Sequence, residues 1–177
     1  DVEHGGERYA VDTGFIVFND WTYPNFMALL DEVGVASQPT SMSFSVSCER
    51  TGLEYNGTSL ATLFADRRNL LRPRFYRMLA DIVRFGRDAR AFLASGNDTW
   101  TLREFLTAHG YSSDLEVNYV APMTAAIWSA APGAIGAMPA RFLLRFFANH
   151  GMLSIDDRPQ WRTIVGGSAR YVDKLVA

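Results

Sequence analysis

The spacing of apolar positions changes along the chain, and each change predicts an element. Residues 3–11 read as a β-hairpin around His4-Gly5-Gly6. Within it, residues 9–11 form a strand that leads into a tight turn at Asp12-Thr13-Gly14 and a second apolar run, Phe15, Ile16, Val17 and Phe18. Gly14 is expected where the backbone needs positive φ or must approach another group closely. Pro24 then opens a helix with Thr22 or Tyr23 at its cap. Phe26, Leu29, Leu30 and Val33 carry the i, i+3, i+4, i+7 spacing of a buried face, and Gly34 ends the helix. Residues 41–48 return to period two: Met42, Phe44, Val46 and Cys48 fall on one face, Ser41, Ser43, Ser45 and Ser47 on the other. The turn Arg50-Thr51-Gly52 sends Leu53-Glu54-Tyr55 back as a second strand, and Asn56-Gly57 marks another turn.

From Ser59 the period becomes helical. Ser59 caps residues 60–69, and Pro73 opens the longest helix, which runs to about Ala94 and closes at Ser95-Gly96. Its apolar residues Phe75, Met78, Leu79, Ile82, Val83 and Phe85 are expected to face a core. Arg72, Arg74, Arg77, Arg84, Arg87 and Arg90 mostly take the other side, close to Arg67 and Arg68. Such a series suits anionic headgroups or an acidic partner, but more often it is simply a solvated face, and Asp66, Asp81 and Asp88 dilute it. Thr101-Leu102-Arg103-Glu104 is a capping box for a short helix ending at His109-Gly110. A further helix starts at Ser112 or Ser113 and should bend or break at Pro122. The run from Thr124 to Ala131 is rich in small residues and permits close packing around Trp128. Pro139 opens a helix with Phe142, Leu143, Phe146 and Phe147 as its stripe, a core face or one wall of an apolar cavity. Residues 160–165 form a strand, Gly166-Gly167 a tight turn, and Ser168 the cap of a last helix. That joint presents backbone N–H groups at a helix N-terminus, where an anion or a polar ring edge can sit.

Composition narrows the function. The 177 residues are 48% hydrophobic and 13% aromatic, which supports a packed core of one domain or two small lobes and argues against disorder. A net charge of −2 and the absence of a basic tail leave no electrostatic footprint for nucleic acid. The single cysteine, Cys48, excludes an internal disulfide and a cysteine metal cluster, and points to a reducing, cytoplasmic setting. The triplets starting at Asn56 and Asn97 are glycan acceptors only in a secreted protein. No apolar run approaches the roughly 18 residues of a membrane span. The chain begins in a hairpin arm without Met and stops within a helical pattern, so both ends are expected to lie inside a longer polypeptide.

Catalytic signatures are sparse. His4, His109 and His150 have no metal-ligand spacing, and the latter two sit where a helix-ending cation belongs. Asp156-Asp157 beside Arg158-Pro159 reads as a turn. The chain contains no G-x-S-x-G elbow and no glycine-rich phosphate loop, and no side chain stands out as acid, base or nucleophile.

The two glycine joints nevertheless resemble one family. Asp12–Asn19, Tyr23–Asn25, Met42–Ser45, Ala126–Ser129, Asn149–Gly151 and Gln160–Ser168 form an ordered set of blocks similar to those of the flavin amine oxidase superfamily, closest to its bacterial NAD/FAD-binding members. The resemblance implies an α+β fold, a mixed or antiparallel sheet carrying a helical substrate-side subdomain. Residues 1–177 would be the central fragment of a two-domain FAD-binding fold. It places Gly14, Phe15, Ile16 and Val17 near the isoalloxazine ring, and Gly166, Gly167, Ser168 and Tyr171 at the cavity border or the return to the cofactor domain. Trp128 and Trp161 become cavity-wall candidates. The dinucleotide motif and the C-terminal flavin-binding segment would lie in the rest of the same polypeptide, so this portion alone is expected to hold FAD poorly. The implied activity is oxidation of a small hydrophobic substrate. A non-catalytic lipid- or partner-binding module with peripheral membrane contact, and a flavin-dependent isomerase, are the alternatives.

Overall fold

The computed structural model describes residues 2–129, 131–154, 156 and 158–176. Asp1, Ala130, Asp157 and Ala177, which belong to the expected hairpin arm, small-residue run, acidic pair and last helix, lie outside the described residues. The fold is α+β, and the chain divides into two compact units, residues 1–42 with 156–177 and residues 43–155.

In the first unit, Gly5 and Gly6 take φ of 62° and 82°, the two-residue turn whose twist matches a hairpin. They join β1 (Val2–His4) to β2 (Glu7–Tyr9), with His4 opposite Glu7. The second strand stops at Tyr9, short of the expected Val11. Antiparallel β3 (Phe18–Asn19) and β4 (Ser37–Pro39) flank β7 (Trp161–Ile164) in the order β3-β7-β4. Pro39 sits on an edge strand, where its missing N–H breaks no ladder. Between them α1 (Pro24–Glu32) starts on Pro24 and ends at Val33, followed by Gly34 at φ 67°. Phe18, Leu30 and Ile164 form a small buried core against Tyr23, Phe26, Met27, Val35 and Tyr171. The last helix, α9 (Ala169–Val176), buries none of its residues.

In the second unit, β5 (Ser45–Cys48) pairs antiparallel with β6 (Leu53–Asn56). Val46, Leu53 and Tyr55 are buried while Ser45, Ser47 and Glu54 are exposed, so the expected alternation holds from Phe44 onward. Met42 is exposed and lies outside the strand. The helix expected over residues 60–69 divides into α2 (Leu60–Leu63) and a 3₁₀ turn at Arg67–Leu71, because the Asp66 carboxylate accepts the Arg68 N–H and starts a new turn. Helix α3 (Pro73–Ala94) buries Phe75, Met78, Phe85, Ala89 and Phe92 along one line. Val83 was expected on that line, but it is 59% exposed. It follows Ile82, and one step of a 3.6-residue turn swings it about 100° off the line.

Helix α4 (Leu102–Ala108) has the expected capping box, with Thr101 and Glu104 bonding reciprocally. The segment from α5 (Ser113–Leu115) to α6 (Ala121–Trp128) stays helical through a π turn at Glu116–Val120. Pro122 therefore does not break the helix; the wider turn accommodates it. After α7 (Pro132–Ile135), helix α8 (Ala140–Asn149) buries Ala140, Leu143, Leu144 and Phe147. The stripe is thus rotated from the expected one: Leu144 is inside and Phe142 is 53% exposed. The main core gathers α3, α4, α6 and α8 around Phe85, Phe105, Leu143 and Phe147.

Carboxylates on α3 hold the loop that follows α4. Asp81 accepts both the N–H and the hydroxyl of Ser112, at 3.1 and 2.6 Å, and Asp88 accepts the Tyr111 hydroxyl at 2.8 Å. Arg84 pairs with Asp81 at 2.9 Å and lies 4.3 Å from the centre of the Tyr111 ring. Part of the arginine series is therefore tied into the fold rather than displayed.

Candidate functional site

The joint between β7 and α9 is built on two left-handed glycines. Gly166 and Gly167 take φ of 79° and 89°. A Cβ on Gly167 would sit 3.1 Å from the Ala10 methyl, so glycine is needed there for shape as well as for φ. Against this joint lies the irregular segment between β2 and β3. Both Asp12 carboxylate oxygens accept the Ser168 N–H, at 2.9 and 3.0 Å. The Ser168 hydroxyl donates to the Phe15 carbonyl at 3.0 Å, and the Thr163 hydroxyl donates to the Ile16 carbonyl at 3.1 Å. Chain stretches far apart in sequence thus form one strip.

Most of the expected site residues meet here. Phe15 contacts Phe26 edge to face at 5.1 Å between ring centroids, and Phe26 contacts Tyr171 at 5.4 Å. Val17 and Tyr171 are half-buried, while Val11, Phe15, Ile16 and Val165 leave an apolar surface open. Trp161 is half-buried in β7, opposite Asn19. Trp128 belongs to the other unit, where it ends α6 against Phe142 and Phe146.

Two expectations are corrected. Gly14 has neither positive φ nor any atom within 4 Å of its Cβ position; residues 13–15 form an open bend, so nothing there demands glycine. The α9 N-terminus is not open to an outside anion at Ser168, because Asp12 already occupies that N–H.

Asp12 and Asn19 are the residues that sequence reasoning passed over. Asn19 is fully buried; its Oδ1 accepts from the Trp21 and Thr22 N–H groups and the Thr22 hydroxyl, and its Nδ2 has no partner among the described residues. A turn-forming Asn at the end of an apolar run was the available signal.

Among the described residues no cluster of three or more His, Cys, Asp and Glu side chains is placed to hold a metal ion. His109 and His150 are helix C-caps whose Nδ1 atoms lie 2.9 Å from the Phe105 and Phe146 carbonyls. No helix among the described residues is long and apolar enough to cross a membrane.

No protein-family model matches the chain, and a search of curated proteins finds no match.

Proposed function

We propose that the chain is the substrate-side portion of an FAD-dependent oxidoreductase of the flavin amine oxidase type, acting on a small hydrophobic substrate. The observation that carries this reading is the strip formed by Asp12, Phe15, Ile16, Gly167 and Ser168. The two segments that resemble the family's flavin-side blocks are joined by side-chain-to-backbone hydrogen bonds. The strip suits one part of the cofactor. Its exposed Val11, Phe15, Ile16 and Val165 fit an apolar ring face, whereas the Ser168 N–H beside the glycines is taken by Asp12 and is not free for a pyrophosphate. That division matches a portion which borders the ring while the phosphates are held by the rest of the polypeptide.

FAD, when bound, supplies the redox chemistry. This chain's residues supply position and dryness: the Asp12–Ser168 pairing fixes the strip, and the Phe15–Phe26–Tyr171 aromatic contacts back it. A flavin-dependent isomerase would use the same strip. The test is reconstitution of the complete polypeptide with FAD. Co-elution of a yellow flavin spectrum with the protein is expected, and a protein that stays colourless would remove both flavin readings.

A further inference from the structure

We infer that a cleft in the second unit is a binding site for an anionic amphiphile, an apolar chain carrying a carboxylate or phosphate head. The cleft has a volume of about 610 Å³, within the range of small-molecule pockets. Leu53, Phe75 and Met78 form its apolar floor, and Leu71 and Val117, 86% and 47% exposed, form its lips. Three arginines, Arg50, Arg72 and Arg74, line it with one carboxylate, Asp114. That carboxylate is consumed by a two-point pairing with Arg74, at 2.9 and 3.0 Å.

Neither of the other two forms an ion pair among the described residues, although Asp66 lies within the field of Arg72. Arg72 is steered by neutral acceptors, its Nη1 donating to the Gly52 carbonyl at 3.0 Å and to Asn69 Oδ1 at 3.2 Å. The neighbouring Asp66 pairs with Arg68 instead, at 2.9 Å. Arg50 is exposed and makes no ion pair among the described residues. The start of α3, whose Pro73 and Arg74 line the cleft, adds the positive end of the helix dipole to the field. An apolar floor beneath an excess of guanidinium selects a ligand that is greasy at one end and anionic at the other.

This site is independent of the flavin proposal, and its test contains no flavin. The intact chain is titrated calorimetrically with decanoate, decyl phosphate and decanol, each below its aggregation concentration. Saturable binding of at least one anion, about tenfold or more tighter than decanol, is expected from the charged hydrogen bond that the alcohol lacks. A preference between the two anions identifies the head group. Arg50→Ala, which breaks no ion pair among the described residues, should weaken the anion several-fold, and Arg145→Ala on α8 should leave it unchanged. Absence of saturable binding by either anion, decanol binding as tightly, or equal loss in both arginine variants would overturn the proposal.

Discussion

The carboxylate of Asp12 accepts the backbone N–H of Ser168 through both oxygens, at 2.9 and 3.0 Å, although the residues are 156 apart in sequence. This pairing closes the first unit by tying the segment after its hairpin to the joint before its last helix. Asp12→Ala should lower stability by about 1 kcal/mol, the usual loss when a helix-start acceptor is removed. A urea-unfolding midpoint equal to wild type would mean that the carboxylate does not hold the joint.

Gly14 and Gly167, each expected in a tight turn, should separate sharply. Gly167→Ala forces a side chain into φ 89° and against the Ala10 methyl, a cost of about 1–3 kcal/mol. Gly14→Ala meets open space without positive φ and should stay within about 0.5 kcal/mol of wild type. Thermal unfolding of both variants makes the comparison; the reverse order would contradict the strip as described.

Tyr55 and Pro122 are linked through Asn118. In a regular helix the Asn118 carbonyl would accept from residue 122, but proline has no N–H. The buried Tyr55 hydroxyl donates to that carbonyl at 2.7 Å, and burial raises the Tyr55 pKa, keeping the donor protonated. Tyr55→Phe should cost about 1 kcal/mol, since it removes a buried hydrogen bond. Chemical denaturation measures the loss, and an unchanged midpoint would show that the carbonyl finds another partner.

Asp81 makes stability depend on acid. Burial raises its pKa, but the Ser112 hydrogen bonds and Arg84 together outweigh burial and hold the carboxyl below its ordinary value. A depressed folded-state pKa stabilises above the unfolded value, about 3.9, and this stabilisation disappears as pH falls through the folded value. Asp81→Asn should therefore be less stable than wild type at neutral pH, with the gap narrowing below about pH 4. Denaturation midpoints against pH for both proteins test this, and a constant gap would remove Asp81 from the acid response.

What the sequence made legible was local. The Gly5-Gly6 hairpin, the Thr101–Glu104 capping box, the Pro24 and Pro73 helix starts and the C-terminal Gly34 and Gly110 stops each depend on residues within one turn. Strand β4 escaped because Pro39 argues against a strand until β7 is there to pair with one edge. The helix stripes were misjudged at Val83 and Phe142, since an apolar residue one step off the line is compatible with the same periodicity. At the candidate site, the glycine joint and the apolar run were readable, but the Asp12 bond that unites them was not, because no local pattern encodes a partner so distant.

The most direct measurement is the visible absorption spectrum of the complete polypeptide reconstituted with FAD, wild type beside Ile16→Glu. Ile16 is 51% exposed, so the substitution leaves the core intact while placing charge on the surface assigned to the ring. A bound-flavin spectrum in wild type, with shifted bands or lost flavin in the variant, is the expected result. An identical, fully bound flavin in both proteins would put the ring elsewhere, and no flavin in either would contradict the oxidoreductase proposal itself.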